Sequence, residues 1–333
     1  MISPNFSVSR KIFIVGGAGF IGSHFAEDLL AKSDVSCVTV FDNFSSGKKW
    51  HLEHLVSDKR LKIVEADVKD MRILSDSMKG HEVVIHLASN PNISAAATNP
   101  AIDFDHGTLL THCVAEAARI TGVGAVLYAS GSGVYGDIGE VEAAEDFGPL
   151  TPVSTYAASK LAGEALLSSY AFMFGFKAIA FRFGNVVGPR QTHGVGFDFI
   201  RNLRADPTRL SILGDGKQSK SYVYVGDIVE SVLLAHNKVD VQFDVFNVAT
   251  GDYITVTDIA TIACEVCGLD PKLVKFDYSG GDRGWKGDVP VVRLSSKKIR
   301  SLGWQQSMNC SESMRYAMAA MYNESRLHLK YVS

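Results

Sequence analysis

Residues 11–22 read KIFIVGGAGFIG, and residues 23–31 continue SHFAEDLLA. A β-branched run, a glycine-rich turn and an amphipathic helical pattern follow one another without a spacer, as in the first βα unit of a dinucleotide-binding α/β fold. Gly16, Gly19 and Gly22 stand at three-residue intervals. Bare backbone at these positions can turn tightly and approach a pyrophosphate, whose charge is favoured at a helix N-terminus. Tight turns recruit glycine for other reasons too, so the context has to carry the reading. A second apolar run ends in Asp42, twenty residues past Gly22, the interval at which an acid meets a cofactor ribose. An acid there accepts hydrogen bonds from both ribose hydroxyls and repels a 2′-phosphate, so NAD is expected rather than NADP. Asp67 ends the third run and is expected near the adenine. Leu87, Ala88 and Ser89 end the fourth run near the nicotinamide path, although plain strand ends are almost as good a reading of these residues.

Outward from this unit, short β-branched runs alternate with helical patterns. Strands are expected at KIFIV (11–15), CVTVF (37–41), LKIVEA (61–66), VVIHL (83–87), AVLYAS (125–130) and KAIAFRF (177–183). The alternation predicts an α/β fold, a Rossmann-type doubly wound parallel sheet with helices on both faces, followed by a smaller α/β C-terminal lobe that binds substrate. The rhythm breaks near residue 180, which places the first domain at 1–180 and the second lobe at 181–333. Beyond it, GNVVGPRQTHG and YSGGDRGWKGDVP read as long loops, where substrate contacts on an α/β scaffold tend to sit.

The chain has 333 residues, 46% hydrophobic and 21% charged, with a net charge of −3. That is the composition of a soluble globular protein, and it gives no basic face for nucleic acid. No apolar run reaches the roughly 18 residues of a membrane span, and MISPNFSVSRK lacks a signal-peptide core. A cytoplasmic protein without membrane contact is therefore expected. Five scattered cysteines argue against a disulfide framework. Cys264 and Cys267 form a CxxC, but TVTDIATIACEVCGL has the apolar spacing of an amphipathic helix and no second ligand pair lies nearby, so no metal is expected.

Reacting groups are sought in TPVSTYAASKLAGEALLSSYA, residues 151–171. Tyr156 and Lys160 are four apart and share a helix face. A buried ammonium beside the phenol, together with a positive nicotinamide ring, would lower the phenol's pKa and let it act as a base near neutral pH. Such a pair is common by chance. The glycine turn and Asp42 upstream are what make it a candidate.

GGAGFIG, Asp42, HLAS (86–89), VYG (134–136), YAASK (156–160) and RFGNVVGPR (182–190) together resemble the extended short-chain dehydrogenase/reductase family over nearly the whole chain. Within it, NVVGPRQTHGVGFDFI, GDGKQSKSYVYVGDI and DRGWKGDVP are similar to segments of the UDP-galactose (UDP-glucose) 4-epimerases. The resemblance implies NAD in the first lobe and a nucleoside-diphosphate sugar, a UDP-hexose, between the lobes. Tyr156 takes a proton from the sugar hydroxyl, Lys160 holds the cofactor ribose, and a 4-keto intermediate turns over before hydride returns. The implied cofactor set also takes in Phe20, Ile21, Asn43, Ser45, Gly47, Val68, Ser130 and Phe183. For substrate, Asn185 matches a family asparagine and Lys220 a position that is often arginine and suits a diphosphate; Arg283 in the GGDRGW loop is a second diphosphate candidate and HGVGFDFI offers His193. For assembly the resemblance implies a homodimer through two helices per subunit, including the Tyr156 helix.

Two positions depart from that pattern. The family's catalytic Ser or Thr falls at Gly131, in YASGSGVYG, which leaves Ser132, a water or Tyr156 alone to handle the proton. A family asparagine falls at Gly107. Related dehydratases and decarboxylases carry acids just before VYG, whereas this chain has Ser132 and Gly133 there. That favours 4-epimerisation, with C4 oxidation or keto reduction of a nucleotide sugar as the alternative. A non-catalytic NAD-binding protein is the reading from another class, and intact Tyr156 and Lys160 weigh against it.

Overall fold

All six expected strands form, with ends within two residues of expectation: β1 (Arg10–Val15), β2 (Val35–Asp42), β3 (Leu61–Glu65), β4 (Val83–His86), β5 (Ala125–Gly131) and β6 (Lys177–Phe183). The computed structural model describes residues 10–285 and 287–327, so residues 1–9, where a leader segment was sought, lie outside the described residues. A seventh strand, β7 (Phe243–Val248), completes the sheet in the order β3-β2-β1-β4-β5-β6-β7. Every neighbouring pair is parallel. Crossovers run outward in both directions from β1, which leaves a crevice at the carboxyl ends of β1 and β4.

Both faces of the sheet are covered, which explains why its strands read as unbroken apolar runs. Ile12 and Ile14 pack with Phe25, Ala26 and Leu29 of α1 (Phe20–Leu30). Phe13 and Val15 face the other way, in a cluster with residues of α2 (Met71–Met78), α3 (Leu109–Thr121) and α4 (Thr155–Phe174). All four β1 side chains are at most 1% exposed, and each such burial is worth roughly 1.5–3 kcal/mol.

The second lobe packs α5 (Val195–Ala205), α7 (Val256–Val266) and α8 (Cys310–Leu327) around Ile200, Leu203, Ile259, Ala263 and Met318. The CxxC lies on and just past α7, with Cys264 wholly buried in this core. The lobes are not divided by one crossing at residue 180. After entering the second lobe, the chain returns as α6 (Val225–Lys238), whose Ile228, Val229 and Val232 join the core under α1, and then as β7. No helix among the described residues is long and apolar enough to cross a membrane.

Arg190 pins the lobes together. It is 8% exposed and has a left-handed backbone, φ 66°. Its guanidinium donates to Glu27 Oε2 at 2.5 Å and to His24 Nδ1 at 2.7 Å on α1. Its amide donates to both Glu324 carboxylate oxygens on α8, at 3.0 and 3.1 Å.

Candidate active site

A cleft of about 1880 Å³ runs from the glycine turn, past the ends of β4 and β5, to α5 and the loop near Trp285. The turn itself is shaped by contacts that only glycine permits. Gly16 has φ 80°, and a Cβ on it would lie 2.7 Å from the Ala88 nitrogen. A Cβ on Gly22 would lie 2.4 Å from the Gly16 carbonyl oxygen. Gly19 caps α1 without a side-chain hydrogen bond, and the first turn holds no acidic residue. Phe20, Ile21 and Gly22, at the uncapped start of α1, line the cleft, a setting that suits a pyrophosphate.

Asp42 ends β2, 8% exposed and on the cleft wall. Its Oδ2 accepts from the Ala18 amide at 3.0 Å and its Oδ1 from the Phe44 amide at 2.8 Å. Burial raises its pKa, against the pull of those two amides. Asn43, Ser45, Asp67, Val68, Leu87, Ala88, Ser89 and Phe183 also line the cleft. Asn43 donates to Asp67 Oδ2 at 3.3 Å, tying the ends of β2 and β3. Gly47 does not line it. It sits behind Asp42, where a Cβ would come within 2.9 Å of Asp42 Oδ1. The bare cradle, the uncapped helix start and the acid at the end of β2 fit NAD.

At the end of β5, Ser130, Gly131, Ser132 and Gly133 border the cleft. The Ser130 hydroxyl is committed elsewhere, donating to Glu164 Oε1 at 2.5 Å. Glu164 and Arg182 form a buried ion pair at 2.8 Å. Arg182 also donates to the Tyr135 hydroxyl at 2.8 Å, and Tyr135 donates to Asn247 Oδ1 at 2.8 Å. This network joins β5, α4, β6, the VYG segment and β7. Gly131 is extended, and a Cβ there would meet nothing within 4 Å. Ser132 opens the short 3₁₀ turn Ser132–Tyr135.

Ser154 caps α4, accepting from the Ala157 amide at 3.2 Å. One turn places Tyr156 and Lys160 on the same cleft wall. Lys160 is 4% exposed, its Nζ donates to the Ala129 carbonyl at 2.8 Å, and it lies 5.5 Å from the Tyr156 ring centroid. Burial lowers the lysine pKa to about 8. The expected lowering of the phenol by this ammonium is not met by the protein alone. Burial pushes Tyr156 up to about 12, the Ser89 hydroxyl pulls it down, and the Asp103 carboxylate pushes it further up. The Ser89 hydroxyl lies beside the phenol without reaching good hydrogen-bond geometry.

At the far end, Asn185, His193 and Lys220 line the cleft. Burial lowers the His193 pKa. Lys220 Nζ donates to Asp288 Oδ1 at 2.6 Å, so its charge is already paired. Arg283 is not on the wall. It donates to Asp137 Oδ2 at 2.6 Å and to the Asp288 carbonyl at 2.8 Å, bridging two loops. Sequence reasoning missed Asn90, Gln191, Tyr222 and Trp285 on the wall, and Asp103 behind it. Asp103 reaches the site through Thr155, 52 residues away, and no local spacing announces such a contact. At Gly107 a Cβ would lie 2.5 Å from Ser159 Oγ, so the π-helical turn Phe104–Thr108 presses on α4, and an asparagine there would require Ser159 to shift.

The profile of the NAD dependent epimerase/dehydratase family matches residues 12–249. The chain is 31% identical to a UDP-glucose 4-epimerase of Mycolicibacterium smegmatis, over 95% of this chain and 100% of that one. A solved UDP-galactose 4-epimerase superposes with a TM-score of 0.83 at 36% identity, covering 94% of this chain and 99% of the other. A dTDP-glucose 4,6-dehydratase from Streptomyces venezuelae, solved with NAD, gives 0.86 at 27% identity over 96% and 98%. The chain thus belongs to the NAD dependent epimerase/dehydratase family, within the extended short-chain dehydrogenases/reductases that its motifs resemble.

Proposed function

We propose that the protein interconverts the C4 epimers of a nucleoside-diphosphate sugar, a UDP-hexose, through a 4-keto intermediate. The observation that carries this reading is the placement of the Tyr156 phenol on the same cleft wall as the glycine turn, with Gly131, Ser132 and Gly133 supplying no carboxylate beside it. NAD, when bound, would supply reversible hydride acceptance at C4. Tyr156 takes the O4 proton on oxidation and returns it on reduction. Lys160, fixed by Ala129, presents a cation to the cofactor ribose. Phe20, Ile21 and Gly22 amides hold the pyrophosphate, Asp42 the ribose, and Asn185 and Lys220 the sugar nucleotide. The family also contains dehydratases, which need extra acid/base groups for elimination. The bare 131–133 stretch supports epimerisation over that chemistry. Absence of side chains at both Gly131 and Gly107 favours a second reading, a C4 dehydrogenase or keto-reductase. A cytoplasmic homodimer is part of the proposal, formed across the outer faces of α3 and α4, where Ile120, Phe172 and Met173 are 54%, 66% and 71% exposed.

The test is incubation with UDP-galactose and, separately, UDP-N-acetylgalactosamine, without added cofactor. The 4-epimer without net NADH is expected, whereas stoichiometric NADH on adding NAD indicates the dehydrogenase. Tyr156→Phe is expected to lose at least about 10²-fold in kcat while still binding NAD. Near-wild-type turnover by that variant sinks the assignment.

A further inference from the structure

Asp103 is 1% exposed, and each of its carboxylate oxygens takes one short hydrogen bond. Oδ2 accepts from the Thr155 hydroxyl at 2.6 Å, and Oδ1 accepts from the Asn90 amide at 2.8 Å. Both donors are chain neighbours of groups at the reacting centre. Thr155 is the first residue of α4 and precedes Tyr156. Asn90 follows Ser89, whose hydroxyl lies beside the phenol, and both line the cleft. The Asn90 side chain is 4% exposed and also supports its own loop, donating to the Asn92 carbonyl at 2.9 Å and accepting from the Asn92 amide at 2.9 Å. One buried carboxylate thus clamps the loop after β4 to the N-terminus of α4, on either side of Tyr156.

We propose that Asp103 is the positioning residue for the proton-transfer step, holding Tyr156 in register with the Ser89 loop and supplying the negative charge that balances the cations around the phenol. The inference rests on the reading of Tyr156 as the proton carrier. Several ionisable groups pack around the phenol, among them His86 of β4, which is wholly buried, stacks on Tyr128 at 5.4 Å and is held neutral by burial and by Lys160. Lys160 comes from α4 itself and lies 5.5 Å from the ring centroid. Tyr128 comes from β5 and is wholly buried and neutral. His106 and Asp105 come from the π-helical turn, with His106 on the cleft wall. Glu164 and Arg182 neutralise each other, and Tyr135 is bonded to Arg182. Asp103 is the carboxylate that pushes the phenol's pKa up. A step that must both take and return a proton gains from such an opposing charge. Burial already holds the phenol high, and the Asp103 charge adds to it on the side that favours return of the proton to the substrate oxygen.

The experiment is a tyrosinate titration by ultraviolet difference absorbance on the NAD-saturated protein, with Tyr156→Phe subtracted, run alongside the pH profile of kcat. Asp103→Asn is expected to move the Tyr156 midpoint down by about one pH unit, with NAD affinity retained. An unmoved midpoint overturns the inference. Thr155→Val keeps the charge and removes the tether, so it is expected to lower kcat about tenfold with the midpoint in place. A kcat within twofold of wild type overturns the positioning half. If Asp103→Asn does not fold, Asp103→Glu serves, since it keeps the charge and displaces the oxygens. It is expected to hold the midpoint and lose kcat, and wild-type kcat there overturns the inference. If Tyr156→Phe is itself active, the reading of Tyr156 falls whatever Asp103 does. If it is inactive while Asp103→Asn leaves the midpoint in place, the Asp103 inference alone falls.

Discussion

At Gly131 the backbone runs extended, φ −160° and ψ 162°, and a methyl built on it meets no atom within 4 Å. Glycine at this position therefore serves neither the turn nor the packing. A β-carbon meets no steric barrier there. Gly131→Ala is expected to gain about 0.4–1 kcal/mol of stability, since a side chain restricts the unfolded chain at no cost to the folded one. Urea unfolding measures this. Gly131→Ser adds a hydroxyl at the same spot, so the ratio of its kcat to that of Gly131→Ala isolates what that hydroxyl contributes. A rise of about tenfold is expected if the proton lacks a second partner, and Ser132→Ala is then expected to lose rate only in the wild-type background. Gly107 is a different case, because its missing Cβ is filled by Ser159. The two departures look alike in sequence, but one leaves open space and the other is a packing contact.

Elements were legible where local chemistry dictated them. The six strands of the first half, the glycine turn and the Tyr156 helix each carry their signal within a dozen residues. β7 does not. Its six residues include Asp244 and Asn247, which break the apolar run. Asn247 is wholly buried nonetheless because Tyr135 and the Ala143 and Ser295 carbonyls satisfy its amide. A buried polar residue reads as surface until its partners are known. Site residues divided in the same way. Asp42, Tyr156 and Lys160 sit at fixed offsets along one element or βα unit. Asp103 and the pairing of Lys220 with Asp288 depend on contacts between distant segments. At the turn into α1, Gly22→Ala is expected to be severe. Its methyl would meet backbone atoms of Gly16 and Gly17 at 2.4 and 2.6 Å. Backbone contacts of this kind cannot be relieved by a rotamer change. The variant is expected to lose NAD binding by calorimetry and about 1–3 kcal/mol of stability.

Four histidines, His24, His51, His86 and His236, are held in their neutral form. Burial lowers His24, His51 and His236 to about 4 and His86 to about 3, with Arg190 adding to the effect on His24 and His51. The folded protein then binds fewer protons than the unfolded chain between about pH 4 and the unperturbed value of 6.5. Stability therefore falls as the pH drops through that window, by up to about 1.4 kcal/mol per pH unit for each such histidine. Denaturant midpoints at the two ends of the window are expected to differ sharply. A flat profile contradicts the burial of these rings. His24 and His51 surround Arg190, which both lobes grip, so the acid transition is expected to separate α8 from α1 first. Loss of the α8 amide protection before that of β1, read by hydrogen exchange, checks the order.

The late return of β7 to the sheet has a consequence for synthesis. Until Val248 leaves the ribosome, the outer edge of β6, from Ala178 to Phe183, has no strand beside it, although its residues are almost wholly apolar and buried in the finished protein. A growing chain with that edge bare is a template for pairing with its neighbours on the same message. A fragment that ends near residue 180 is therefore expected to self-associate through that edge. The cofactor-binding half becomes a closed folding unit only after part of the other lobe has been translated.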